Sequence, residues 1–137
     1  MQDIRIICGE YNFTARLEEA LAPKTCAVFR QLLPYRERII HVRWSGEACW
    51  IPLGDRDLGL KFENPTSYPA PGQILLYPGG YSETEFLLAY GSVQFASKVG
   101  VLAGNHFLTV TQGVEHLAKL GHEVLYQGAK DILFEAA

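Results

Sequence analysis

The sequence predicts a mainly β domain, a small closed barrel with one helix capping each open end. Three observations carry this. Short runs rich in β-branched and aromatic residues recur along the whole chain, with glycine and proline between them. Only two segments carry helical periodicity, and they lie far apart in sequence. Strands and helices do not alternate, so a doubly wound parallel sheet is not expected.

Each element has its own signal. Asp3 to Cys8 is a β-branched run, Gly9-Glu10 turns it, and Tyr11 to Leu17 returns. In that return Phe13, Ala15 and Leu17 fall on one face, Thr14 and Arg16 on the other. Ala22 to Leu33 predicts the first helix, with Pro23 tolerated in its first turn and Pro34 ending it. Ala22, Cys26, Phe29 and Leu33 form its apolar stripe. Glu37 to Trp44 and Ala48 to Pro52 are the next strands, turned by Ser45-Gly46, and 54–66 is a loop or irregular strand. Pro69-Ala70-Pro71-Gly72 and Pro78-Gly79-Gly80 punctuate the chain around a buried strand at Gln73 to Tyr77. Strands follow at Glu85 to Tyr90, Val93 to Lys98 and Asn105 to Val110. The second helix is expected over Gln112 to Leu120, with Thr111 as cap, Val114 and Leu117 facing the core, and Gly121 closing it. Strand-like pieces at Glu123 to Gln127 and Asp131 to Phe134 complete the chain.

The 137 residues suit one domain covering 1–137, with no repeat, low-complexity segment or linker. The formal net charge is −3 and no Lys/Arg cluster is present, so no nucleic-acid partner is expected. Asp3 and Arg5 interrupt the N-terminal apolar stretch, which argues against a signal peptide, and no run approaches a membrane span. Cys8, Cys26 and Cys49 are odd in number and unevenly spaced, which fits reduced thiols and a cytoplasmic location.

Several strings resemble known proteins. Phe13-Thr14-Ala15-Arg16-Leu17, Ala22-Pro23-Lys24-Thr25, and then Phe29 and Leu32 are similar to the opening of cyclophilins. Gly91-Ser92-Val93-Gln94-Phe95, Leu102-Ala103-Gly104-Asn105-His106 and Gln112-Gly113-Val114-Glu115 resemble later cyclophilin segments in the same order. His41 to Ala48, Tyr68 to Gly72, Leu76 to Gly80, Ser82 to Glu85 and Gly104 to Phe107 resemble a bacterial family of unknown function with a cyclophilin-like fold. The resemblance implies a cyclophilin-like barrel. It also implies Arg43 as the counterpart of the arginine that binds the substrate carbonyl in prolyl isomerases, and His106 as the counterpart of their pocket histidine. The departures are specific: Trp50-Ile51-Pro52-Leu53-Gly54-Asp55 keeps only Gly-Asp of the cyclophilin Gln-Gly-Gly-Asp, Ala96 stands where the pocket has phenylalanine, and Val101 where it has tryptophan.

The candidate site is read from shared faces. On a strand, residues two apart project together, which groups His41, Arg43 and Ser45, Glu83 with Glu85, and Glu47 with Cys49. If these faces meet, Arg43 pairs with Glu47, Glu83 or Glu85, or presents its fork to a ligand carboxylate. The plain alternative is a solvated ion pair. Trp44, Trp50, Tyr77 and Tyr90 are lining or core residues, and Tyr68 is a lining candidate because it precedes a proline-rich turn. Cys49 or Ser45 near His41 is a thin nucleophile-base pairing. His41, His106, His116 and His122 lack metal-ligand spacing, so no metal and no cofactor is expected. The leading reading is binding, or binding with turnover, of a small polar carboxylate- or amide-containing ligand by His41, Arg43, Glu47, Tyr68, Glu83, Glu85 and His106. The alternatives are a residual prolyl isomerase or proline-peptide binder, and an assembly module; a homo-oligomer is expected.

Overall fold

The structure is a computed structural model and describes residues 3–137. β1 (Ile4–Cys8) and β2 (Tyr11–Leu17) form the first hairpin, with Ile4 opposite Ala15 and Cys8 opposite Tyr11. Alternate residues of both strands are buried, so the hairpin turns one face to the interior. α1 (Pro23–Leu32) begins on proline, whose missing N–H has no intrahelical partner in the first turn. Phe29 on its buried side meets the rings of Tyr35, Phe86, Phe107 and Phe134 at centroid distances of 5.0–6.5 Å. These rings plug one end of the molecule.

The remaining strands are β3 (Tyr35–His41), β4 (Gly46–Pro52), β5 (Pro65–Thr66), β6 (Gln73–Tyr77), β7 (Glu85–Val93), β8 (Ala96–Ser97), β9 (Gly100–Val101), β10 (Gly104–Gln112) and β11 (Lys130–Ala136). Eight of them close in the order β1, β2, β10, β6, β7, β4, β3, β11 and back to β1, every pairing antiparallel. Closure leaves these strands no free edge. β5 adds to β10 on its outer side, and β8 and β9 form a separate short hairpin.

α2 (Leu117–Gln127) follows a 3-10 turn at Val114–His116 and closes the other end. Here the structure corrects the expected helix. Gly121 does not end it; it sits mid-helix, where a Cβ would lie 2.4 Å from the Tyr90 ring. The glycine lets the helix approach the barrel mouth, and the helix ends instead at Gly128, which has a φ of +100°. Glu123 to Gln127 is therefore helical rather than a strand, and Val114 is exposed in the 3-10 turn rather than in the core. No helix among the described residues is long and apolar enough to cross a membrane.

A second apolar layer lies outside the barrel. Ala48 of β4, Leu75 and Tyr77 of β6 and Leu87 of β7 face outward and are covered by Phe95 and Leu102, with Val42, Trp50 and Val93 packed alongside. Val93 to Lys98 is thus not one strand. β7 ends at Val93, and the chain leaves the barrel wall to anchor Phe95 on its outside, holding the β8–β9 hairpin above the wall.

Candidate functional site

The space beneath that hairpin is a cleft of about 210 Å³ between the barrel wall and the loops around it. It is smaller than the roughly 300–1,000 Å³ of sites that engulf drug-sized ligands, and suits a molecule of metabolite size. Three segments build it.

The first is the loop after β3. Strand geometry stops at His41, and residues 42–45 fold back under three hydrogen bonds of Ser45. Its Oγ donates to the Ala96 carbonyl and accepts from the Ala96 N–H, both at 3.0 Å, while the Gln94 N–H donates to the Ser45 carbonyl at 3.1 Å. This staple sets Arg43 and Trp44 beside the hairpin that carries Ser97 and Lys98. The second is the wall itself. Trp50 pairs with Leu87 and Pro52 with Glu85, so Trp50 and Glu85 are diagonal neighbours on the same outer face. The third is the loop 78–84. The Tyr77 hydroxyl accepts from the N–H groups of Tyr81 and Ser82, each at 3.1 Å, and the Tyr81 hydroxyl donates to the Val99 carbonyl at 3.2 Å. That bridge joins the loop to the hairpin tip and brings Ser82 and Glu83 to the cleft.

The electrostatics are unbalanced by design of the packing. Glu85 is only 4% exposed and its carboxyl has no hydrogen-bond partner among the described residues. Burial, and then the charge of Glu83, push its carboxyl up to about 8, so it carries a proton at neutral pH. The indole Nε1 of Trp50 is also buried without an acceptor. Arg43 and Lys98 form no ion pair with Glu83, Glu85 or any other described residue within 4.0 Å. Two cations and two acids therefore share one small cleft without forming an ion pair.

The structure divides the residues expected to act together. Arg43, Glu83 and Glu85 meet in the cleft. His41 does not join them, because alternation ceases where the strand ends. It turns into the barrel mouth, where Nδ1–H donates to the Val42 carbonyl at 2.9 Å and Nε2 accepts from the Tyr90 hydroxyl at 2.7 Å. Glu47 is exposed at the same mouth, its carboxylate accepting from the Ser92 N–H at 2.8 Å. Tyr68 stands on the surface, its hydroxyl accepting from Gln94 Nε2 at 3.0 Å, and does not line the cleft. His106 lies on the outer face of β10, remote from the cleft lining. Thr109 donates to Glu18 at 2.6 Å, so His106 Nε2–H must donate to Thr109, at 2.7 Å. Burial would raise the Glu18 pKa, but the hydrogen bonds from Thr109 and Arg16 outweigh it and hold the carboxylate ionised below its usual range. Burial lowers the pKa of His106.

Cys49 faces the interior, and burial pushes its thiol up to about 12, which removes it as a nucleophile beside His41. Lys98 is a lining residue that sequence reasoning missed: a lysine between short strands carries no local signal of a site. Among the described residues, no three of His, Cys, Asp and Glu gather as a metal site.

A closed eight-stranded antiparallel barrel with a helix at each end defines a cyclophilin-like fold. Residues 4–136 match the model of a family described as protein of unknown function (DUF3830), and the chain belongs to that family. Among solved structures it resembles McbB in complex with tryptophan, with a TM-score of 0.71 and 14% identity over 96% of this chain and 44% of that one. The chain thus spans less than half the length of McbB. It also resembles the hypothetical protein AF2241 from Archaeoglobus fulgidus, at TM-score 0.66 and 16% identity over 99% and 95% of the two chains. A cyclophilin-type peptidyl-prolyl cis-trans isomerase from Cryptosporidium parvum, in the presence of the dipeptide Ala-Pro, aligns at TM-score 0.58 and 18% identity over 99% of both chains. At these identities the likeness is one of fold. No curated protein sequence matches.

Proposed function

We propose that this protein binds a small polar molecule bearing a carboxylate in the cleft on its outer wall. The observation that carries the reading is the unspent charge. Arg43 and Lys98 line a partly enclosed cleft, and neither is neutralised by the acids that share it. Arginine offers a planar fork that matches a carboxylate, and lysine adds a point charge. Trp44 and Trp50 supply flat apolar surface for the body of the ligand. McbB, to 44% of whose length this chain aligns, is itself in complex with tryptophan, a ligand of that size.

Support for prolyl isomerisation is thinner. Of the two cyclophilin counterparts only Arg43 reaches the cleft, Ala96 puts a methyl group where the resemblance implies a phenylalanine, and Val101 is exposed.

The test is thermal unfolding of wild type and Arg43→Ala against small carboxylates. Arg43 lies in a loop and makes no ion pair among the described residues, so the variant should fold normally. A carboxylate present at a hundred times its dissociation constant adds about 2.7 kcal/mol of stability. That gain should appear in wild type and be lost in the variant. An equal gain in both proteins would refute the assignment.

A further inference from the structure

We infer that the ligand carries an amino group beside its carboxylate, that Glu85 receives this group, and that the cleft is therefore a site for an α-amino acid. The inference rests on the carboxylate reading above and adds the second half of the ligand. Its basis is the floor of the cleft. Glu85 is almost wholly buried, opens on the cleft and bonds to no described residue. Buried carboxyl groups are ordinarily satisfied, and an unmade partner inside a cleft marks the place where a ligand supplies one. Trp50, its diagonal neighbour, presents an N–H that also lacks a partner.

The two groups ask for opposite things. Trp50 Nε1–H requires an acceptor, as do Arg43 and Lys98. An ionised Glu85 requires a donor, best a cationic one. A molecule with a carboxylate one carbon from an ammonium presents acceptor and donor side by side. A simple carboxylic acid satisfies the cations but leaves Glu85 empty. A simple amine does the reverse.

Binding must then release a proton. Glu85 holds one in the free protein at neutral pH, and an ammonium group cannot be received by a neutral carboxyl as well as by a carboxylate. The proton leaves to solvent as the ammonium arrives, so no co-reactant is required. The charged and titratable groups around Glu85 are Glu83 in the loop before it, Arg43 after β3, Lys98 on the hairpin, and Tyr77 opposite it on β6. Of these, Glu83 opposes ionisation of Glu85. An arriving cation offsets that repulsion.

The experiment uses three matched pairs: L-tryptophan with indole-3-propionate, L-phenylalanine with 3-phenylpropionate, and L-leucine with 4-methylpentanoate. Each is titrated calorimetrically into wild type, Glu85→Gln and Arg43→Ala. In at least one pair the amino acid should bind wild type tenfold or more tighter than its deaminated partner, in line with about 1.5–3 kcal/mol for a hydrogen bond to a charged group. Glu85→Gln should abolish that preference while leaving the deaminated acid unaffected. Between pH 6 and 7 the amino-acid affinity should rise about tenfold, and buffers of different ionisation enthalpy should report close to one proton released at pH 7. Equal binding within every pair, still dependent on Arg43, would overturn the amine inference and leave the carboxylate reading standing. Binding by no probe would overturn both.

Discussion

Replacing Glu85 with glutamine tests the electrostatics of the cleft without any ligand. The side chains are nearly the same size, so packing against Trp50 and the wall of β4 and β6 is kept, and only the ability to ionise is removed. Glu85 titrates near its ordinary 4.5 when unfolded and at about 8 when folded. Between those values the unfolded chain binds fewer protons than the native one, so wild-type stability falls as pH rises. The slope approaches 1.4 kcal/mol per pH unit, and the accumulated loss relative to Glu85→Gln is about 3–5 kcal/mol at pH 8. Below pH 4.5 the two proteins should differ little from this cause, and above pH 8 the gap should be constant. Native domains are stable by roughly 5–15 kcal/mol, so an effect of this size is a large fraction of the total. Urea unfolding of both proteins at half-unit steps from pH 4 to 9 reads it directly, with the difference between midpoints plotted against pH. A flat difference would refute the reasoning, because Glu85 would then be as well solvated in the fold as out of it. A difference that grows in the opposite sense would mean that a cation already pairs with it.

Other perturbations probe the frame around the site. Gly121→Ala places a methyl group on the Tyr90 ring and should destabilise by about 1–3 kcal/mol through overpacking, read as a lower thermal midpoint. Thr109→Val removes the hydroxyl between His106 and Glu18, and should raise the Glu18 pKa in an NMR titration while costing about 1–3 kcal/mol. A proline-peptide turnover assay should show no acceleration over the uncatalysed rate, since the cleft lacks the ring that would hold proline; clear acceleration would restore the isomerase reading.

Much of the barrel was legible because its physics is local. Alternation in Tyr11 to Leu17, the stripe of Cys26 and Phe29, and the prolines around Gln73 to Tyr77 each fix an element within one short window. The errors arose where a distant partner decides. Gly121 reads as a helix terminator until the Tyr90 ring stands against it. Val93 to Lys98 reads as one strand because nothing near Phe95 announces a second core on the outside of the barrel. For the site, Arg43, Glu83 and Glu85 all line the cleft, Arg43 and Glu83 from loops and Glu85 from the first position of β7. The grouping of His41 with Arg43 fails for a definite reason: sharing a face holds only while the strand continues, and the Ser45 staple to Ala96 lies four residues past its end, with the chain turned between them. That staple joins residues 51 apart, and no pattern in either segment foretells it.

The position of the cleft has an evolutionary consequence. Its floor belongs to the barrel, but much of its rim is a hairpin whose strands hold two residues each, tied down at either side by Phe95 and Leu102. Residues inserted or exchanged between those two anchors reshape the opening without entering the barrel interior or breaking a strand pairing of the closed ring. A lineage carrying this fold is therefore free to reshape the mouth of the cleft by editing a handful of surface positions, while the residues that keep it folded stay as they are.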